Sequence, residues 1–237
     1  MAASGKKKES KTICTGNDEL DKKMGGGIPT KTLTLIEGQP DSGKSVLCQH
    51  MIWGSLSNDL SVMAFTTENT VRSLITQMQS LSLDILDYFL LSRLQIAPLD
   101  AKRMNQTLHG TILPMITKCI QEGVDLVVID SLTHYATQSS VDEVISFFQE
   151  CKTFADRGLS VVCSAHTYAF DESSINRVGA MCDAHLRLHK ETLGTRMVNI
   201  LEVSKIRGAA SRTGNIVSFD VEPGLGIKPI PFSKAKA

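Results

Sequence analysis

A chain of 237 residues with 42% apolar content is long enough for one sizeable core and has the size of an ordinary single α/β domain. Its 25 basic and 25 acidic residues give a formal net charge of +0, which argues against a dedicated nucleic-acid coat, because that class draws much of its affinity from neutralising phosphates. No apolar run approaches the roughly 20 residues that span a bilayer, and the stretch 6–10 is polar where a signal peptide would turn apolar, so the chain reads as cytosolic.

Residues 1–11, with Lys6, Lys7 and Lys8, read as a disordered basic N-terminus. A single domain is expected over 12–228, followed by a flexible tail over 229–237. Lys228, Lys234 and Lys236 make that end basic too. Solvated, frayed ends are the plain reading, and contact with an anionic membrane or an acidic partner is the sharper one. From Thr32 onward short β-branched or apolar runs alternate with helical stretches. The pattern predicts strands over 32–37, 61–66, 94–97, 125–130 and 159–164, and helices over 45–57, 70–81, 102–121 and 141–156. Asp100 is placed to cap the third helix, while Gly123 and Gly158 follow the third and fourth as stops. Beyond Asp183 the stretches 184–189, 196–205 and 215–221 alternate like strands, with turn signals at Gly194, Gly208 and Gly214 and no helix between. The expected fold is α/β, a mostly parallel central sheet flanked by helices with a C-terminal antiparallel extension. The six cysteines show no C-x-x-C spacing, and several lie in apolar runs, as core thiols of a reducing compartment do.

The strongest chemical signal is Gly38-Gln39-Pro40-Asp41-Ser42-Gly43-Lys44-Ser45, which fits G-x-x-x-x-G-K-S/T between a predicted strand and a predicted helix that opens with Val46. Gly38 and Gly43 allow the backbone to curl so that successive N–H groups face phosphate oxygens, and the helix N-terminus adds its dipole. In that context Lys44 reaches the β- and γ-phosphates of ATP, and the Ser45 hydroxyl is a ligand for Mg2+. Asp41 is unusual in such a loop, since a carboxylate near phosphates weakens binding unless it points outward. The run Leu126-Val127-Val128-Ile129-Asp130 describes a buried strand that delivers a carboxylate to its C-terminal edge, so Asp130 is the second expected Mg2+ ligand. Glu68 follows the predicted strand 61–66 and is expected near the loop because sequential strands often neighbour each other. It reads either as the base that positions an attacking water or as an acid in the first turn of the next helix. His166 ends the strand after Asp130, as a polar group able to sense the γ-phosphate or as an ordinary hydrogen-bonded surface residue.

The order of these pieces resembles the RecA superfamily, and within it the single-domain KaiC-like ATPases. The resemblance rests on Gly16-Asn17-Asp18-Glu19-Leu20-Asp21 followed by Gly25-Gly26-Gly27-Ile28-Pro29, on Thr66-Thr67-Glu68-Asn69-Thr70, and on Lys205-Ile206-Arg207. It covers about Thr12 to Ile227. It implies that Glu68 is the catalytic glutamate, where KaiC-like proteins often carry two adjacent acids and this chain has Thr67 first. It also implies that Lys205 and Arg207, which share one face of an extended strand, serve the nucleotide of a neighbouring subunit in a hexameric ring. Within the family the chain is similar to the accessory ATPases of the archaeal motility motor. That likeness implies a cytosolic regulator with slow or no ATP hydrolysis, peripheral to the membrane, with the motor ATPase FlaI, the membrane platform protein FlaJ and the scaffold FlaX as partners. A DNA recombination or repair ATPase and a KaiC-like autokinase are the alternatives, with Arg207–Arg212 as the stretch able to face DNA.

Overall fold

The computed structural model describes residues 11–99, 107–193, 196–210 and 215–230. The chain opens with a small antiparallel pair, β1 (Thr12–Ile13) with β2 (Ile28–Pro29), around the short helix α1 (Asp18–Lys23). Then β3 (Leu33–Gly38) leads into α2 (Lys44–Ser57), β4 (Val62–Thr66) into α3 (Val71–Ser80), and α4 (Leu86–Leu90) into β5 (Leu94–Pro98). A π-helical turn (Leu108–Ile112) runs on into α5 (Leu113–Gln121), and β6 (Leu126–Asp130) precedes α6 (Thr133–Gln138) and α7 (Val141–Asp156). After β7 (Ser160–His166) and α8 (Glu172–Met181) come β8 (Ala184–Leu193), β9 (Arg196–Ile206), β10 (Ile216–Glu222) and β11 (Gly226–Ile230).

One nine-stranded sheet joins these elements in the order β11-β10-β9-β8-β3-β7-β6-β4-β5. The strands from β8 to β5 are mutually parallel, and β9, β10 and β11 extend the β8 edge antiparallel. The expected α/β architecture with its antiparallel C-terminal extension is therefore present. Strand β3 sits between two parallel partners and is buried at every position, which is why Leu33-Thr34-Leu35-Ile36 reads as a run rather than as an alternation. One face of the sheet packs Ile36, Leu186, Leu188 and Phe219 against α2 and α3 through Leu47, Met51, Leu74 and Met78. The other packs Leu35, Val127 and Val161 against the π-turn, α5, α7 and α8 through Ile112, Ile116, Phe147, Phe148 and Val178. Helix α7 starts at a capping box, with the Glu143 N–H donating to Ser140 Oγ at 3.3 Å and the Ser140 N–H to Glu143 Oε2 at 2.8 Å. Gly123 and Gly158 stand in the left-handed region just past α5 and α7, as helix stops.

Several expectations need correction. Strand β4 is not beside β3, since β7 and β6 lie between them; βα units wind onto both sides of the first strand, so sequence order is not spatial order. Lys228 is not part of a frayed tail: it lies in β11, where its Nζ bonds Glu222 Oε1 at 3.0 Å. Helices α1, α4, α6 and α8 were not apparent from periodicity, because they are short or, in Glu172-Ser173-Ser174, open on polar residues. Asp100, the first residues of the third predicted helix, Gly194, Arg212, Gly214, and the stretches 1–10 and 231–237 of the expected basic N-terminus and flexible tail fall outside the described residues. Among the described residues no helix is long and apolar enough to cross a membrane, and the six cysteines are free thiols, five of them buried.

His50 on α2 joins both chain ends to the core. Its Nδ1 meets Thr15 O at 3.2 Å, and the Ile227 N–H donates to its Nε2 at 2.9 Å. Nε2 is thus an acceptor and the ring is neutral, and burial pushes its pKa below the ordinary value of 6.5. Since protonation is disfavoured in the folded state, this contribution is complete above pH 6.5 and is lost as the pH falls toward the lowered folded value. We expect His50→Phe, which orphans two buried backbone groups at about 1–3 kcal/mol each, to lower the melting temperature most above pH 7. The gap between the variant and the wild type should narrow by pH 5 in thermal melts.

Candidate functional site

Four parallel strands end at one edge of the sheet. Gly38 at the end of β3 is level with His166 at the end of β7, and Thr66 of β4 is level with Asp130 of β6. Below this edge lies a cavity of about 440 Å³ whose walls include residues 40–46, Glu68, Asp130, Ser131 and His166. Clefts at the carboxyl ends of parallel strands are where α/β sheets bind ligands.

The loop between β3 and α2 owes its course to two glycines. A Cβ on Gly38 would run into the carbonyl oxygen of Leu188 on β8, and the Gln39 N–H donates to that same oxygen at 3.2 Å. Gly43 has φ 92°, in the left-handed region open to glycine, and a side chain there would also press on the Phe219 ring at 3.0 Å. Asp41 is left-handed as well, with φ 55°, a conformation that Asp adopts more readily than most residues. It is exposed at the loop tip, yet it lines the cavity and its charge acts on Lys44 and Glu68, so exposure does not take it away from the site. Ser42 is buried and bonds Gln39 O at 2.8 Å. Lys44, 5% exposed, folds back over the loop and donates to Gln39 O at 2.6 Å. Burial pushes its pKa below the usual lysine value against the opposing pull of Asp130 and Glu68.

Asp130 Oδ1 accepts a hydrogen bond from the buried Ser164 hydroxyl at 2.5 Å, which orients the carboxylate. Glu68 lies two residues ahead of Thr70, the N-cap of α3, so it is outside that helix and not an acid of its first turn. It faces the cavity, and burial together with the Asp130 charge raises its pKa above the ordinary carboxylate value while Lys44 opposes. Thr67 is committed elsewhere: its N–H donates to Asp130 O at 3.0 Å and its Oγ1 accepts from the Ser131 N–H at 3.1 Å, tying β4 to β6. Among the described residues no cluster of three or more His, Cys, Asp or Glu side chains could hold a metal ion. The hard oxygens of Ser45 and Asp130 suit Mg2+ when phosphate oxygens and water complete its shell.

Not every residue singled out from the sequence reaches this cavity. Gly38 and Gln39 shape the loop from behind and border a second cavity of about 740 Å³ on its far side. Lys205 and Arg207 lie at the opposite edge of the sheet, where Lys205 pairs in register with His185 and the Arg207 N–H donates to Asp183 O at 2.9 Å. Their side chains turn the same way, as an extended strand dictates, but onto the C-terminal turn of α8. Lys205 Nζ bonds Gly179 O at 2.7 Å, and Arg207 Nη2 bonds Ala180 O at 3.2 Å. Conversely, Asn199 of β9 and Val221 of β10 line the loop cavity, and nothing in their local sequence signals it.

The family model described as ATPase: KaiC matches residues 13–231. The archaeal flagellar ATP-binding protein FlaH of Sulfolobus acidocaldarius is 36% identical over 228 residues, covering 95% of this chain and 99% of that protein. The chain belongs to the KaiC family of ATPases, in its FlaH branch. FlaH of Methanocaldococcus jannaschii is 30% identical over 91% of this chain and 93% of its own length. The crystal structure of the flagellar accessory protein FlaH from that organism superposes with a TM-score of 0.80 at 26% identity, covering 94% of this chain and all of the other. For this FlaH-branch chain we expect Lys44→Ala to abolish ATP binding in a calorimetric titration while leaving the melting temperature of the nucleotide-free protein within a few degrees.

Proposed function

We propose that the protein is a cytoplasmic ATP-binding switch of the archaeal motility motor, in which nucleotide occupancy controls association with the motor ATPase. The reading is supported by relatives named for ATP binding and archaeal flagella and carried by one observation, the convergence of Lys44, Asp130 and Glu68 on a single cavity under the glycine loop. In it, loop N–H groups and Lys44 bind the β- and γ-phosphates, and Ser45 and Asp130 hold Mg2+, which screens the phosphate charge. Glu68 orients the attacking water. It acts alone, because Thr67 takes the place of a second acid and spends its hydroxyl on the β4–β6 junction. A single acid favours slow turnover, so that bound ATP lasts long enough to act as a signal.

Lys205 and Arg207, at the edge away from their own cavity, are offered to the nucleotide of a neighbouring subunit in a hexameric ring, where two cations stabilise the charge of phosphoryl transfer. The partners are FlaI, with FlaJ and FlaX at the membrane face. In pull-downs with the motor ATPase, wild-type protein carrying ATP should bind and Lys44→Ala should not; equal capture of both would remove the switch. Residual turnover should rise with pH through a midpoint above the usual carboxylate range, because Glu68 must lose its proton to act and its pKa is raised. Glu68→Gln should keep ATP binding and abolish that turnover in a phosphate-release assay.

A further inference from the structure

The cavity of about 740 Å³ behind the glycine loop opens between the first turns of α8 and the ends of β3, β8 and β9. Glu37 follows Leu35 by two residues on β3, so it lies on the sheet face that α8 covers with Ile175 and Val178. Gly38, Gln39 and Pro40 form part of the wall, and Ile175 adds apolar surface. Tyr168, 66% exposed, completes the lining. Its ring stacks on His166 at an interplanar angle of 13°, so one ring face is held and the other is open to a ligand.

The charges around this cavity do not balance. Glu37, Glu172 and Glu202 line it with one guanidinium, that of Arg187. Arg187 lies in register with Glu202 across β8 and β9, but its Nε donates to Glu37 Oε1 at 2.8 Å, where His185 Nε2 also sits at 2.8 Å. His189, the other basic residue of the lining, meets Glu191 at 3.3 Å. Among the described residues neither Glu172 nor Glu202 has a cation within 4.0 Å. Glu202 only accepts a hydrogen bond from Ser204 Oγ, at 3.3 Å.

Two unpaired carboxylates beside an open aromatic face and apolar surface suit a cation on an aliphatic stem. Lysine and arginine have that build, since the stem covers apolar groups while the head keeps to charge. A tyrosine ring face attracts the same head. The volume is within the roughly 300–1,000 Å³ of ligand sites, large enough for several side chains of a short segment. We infer that this cavity docks a basic segment of a partner protein, with an arginine or lysine held over Tyr168 and against Glu172 and Glu202. The docking site goes beyond the ATP switch and stands without it. Pro40 lines both cavities, so the docked segment lies against the nucleotide loop.

The probe is a synthetic pentapeptide of alternating arginine and leucine, titrated into the full-length protein and followed by NMR. It should shift the Ile175 and Tyr168 side-chain signals, and a glutamate–leucine pentapeptide should not. Glu172→Gln combined with Glu202→Gln should weaken the arginine peptide about three- to tenfold, the worth of two solvent-accessible ion pairs. ATP affinity and melting temperature should stay as in the wild type, which shows that the variant is folded. Unchanged peptide affinity in the double variant would overturn the inference, as would preference for the acidic peptide. Spermidine bound as tightly as the peptide would make this a polyamine site, and Tyr168 shifts that grow with protein concentration alone would assign it to a second copy; either result also overturns it. Equal capture of wild type and Lys44→Ala by the motor ATPase would sink the switch and leave the docking site standing.

Discussion

The parallel pairing of β3 between β7 and β8 is the constraint on which the rest of the molecule depends. It brings β8 so close to the end of β3 that residue 38 has no room for a side chain beside the Leu188 carbonyl. The backbone leaves the sheet there, and the same carbonyl holds the next N–H. Because β7, β6 and β4 run in the same direction, their chemical groups emerge at that edge too: His166, Asp130 and then Glu68.

Gathering these charges has an electrostatic consequence. Burial lowers the pKa of Lys44 and raises that of Glu68, so each charged form is disfavoured by its surroundings. The Lys44 ammonium finds its hydrogen bond on the loop's own Gln39 carbonyl. A polyphosphate with its cation supplies what these groups lack, negative charge for the lysine and positive charge beside the carboxylates. The hydroxyls around them set direction: Ser164 aims one oxygen of Asp130, and Thr67 locks the backbone that carries both acids.

At the other edge a separate polar network organises the C-terminal strands. Asp183 accepts from the Leu33 N–H at 3.0 Å and from Lys152 Nζ at 2.7 Å, with Arg207 Nη1 3.6 Å away. The carbonyls at the end of α8 take Lys205 and Arg207, as the negative end of a helix dipole favours. Helix α8 thus spans the height of the sheet, with its first turns beside the cavity behind the glycine loop and its last turn under the two cations.

By itself the sequence determined the glycine loop, the buried strand ending in Asp130, the α/β rhythm and the helix stops at Gly123 and Gly158, and it carried enough of the family pattern to be read as KaiC-like. These features are local: a φ above zero, a continuous apolar run or a cap is written in a few adjacent residues. The tertiary structure alone decided which strands are neighbours, and so brought Glu68 to the loop across two intervening strands. It also brought Asn199 and Val221 into the cavity, kept Lys205 and Arg207 at the far edge, and paired Lys228 within β11. Those outcomes depend on strand order and register, which arise from contacts between residues far apart in the chain and leave no periodic trace in either partner.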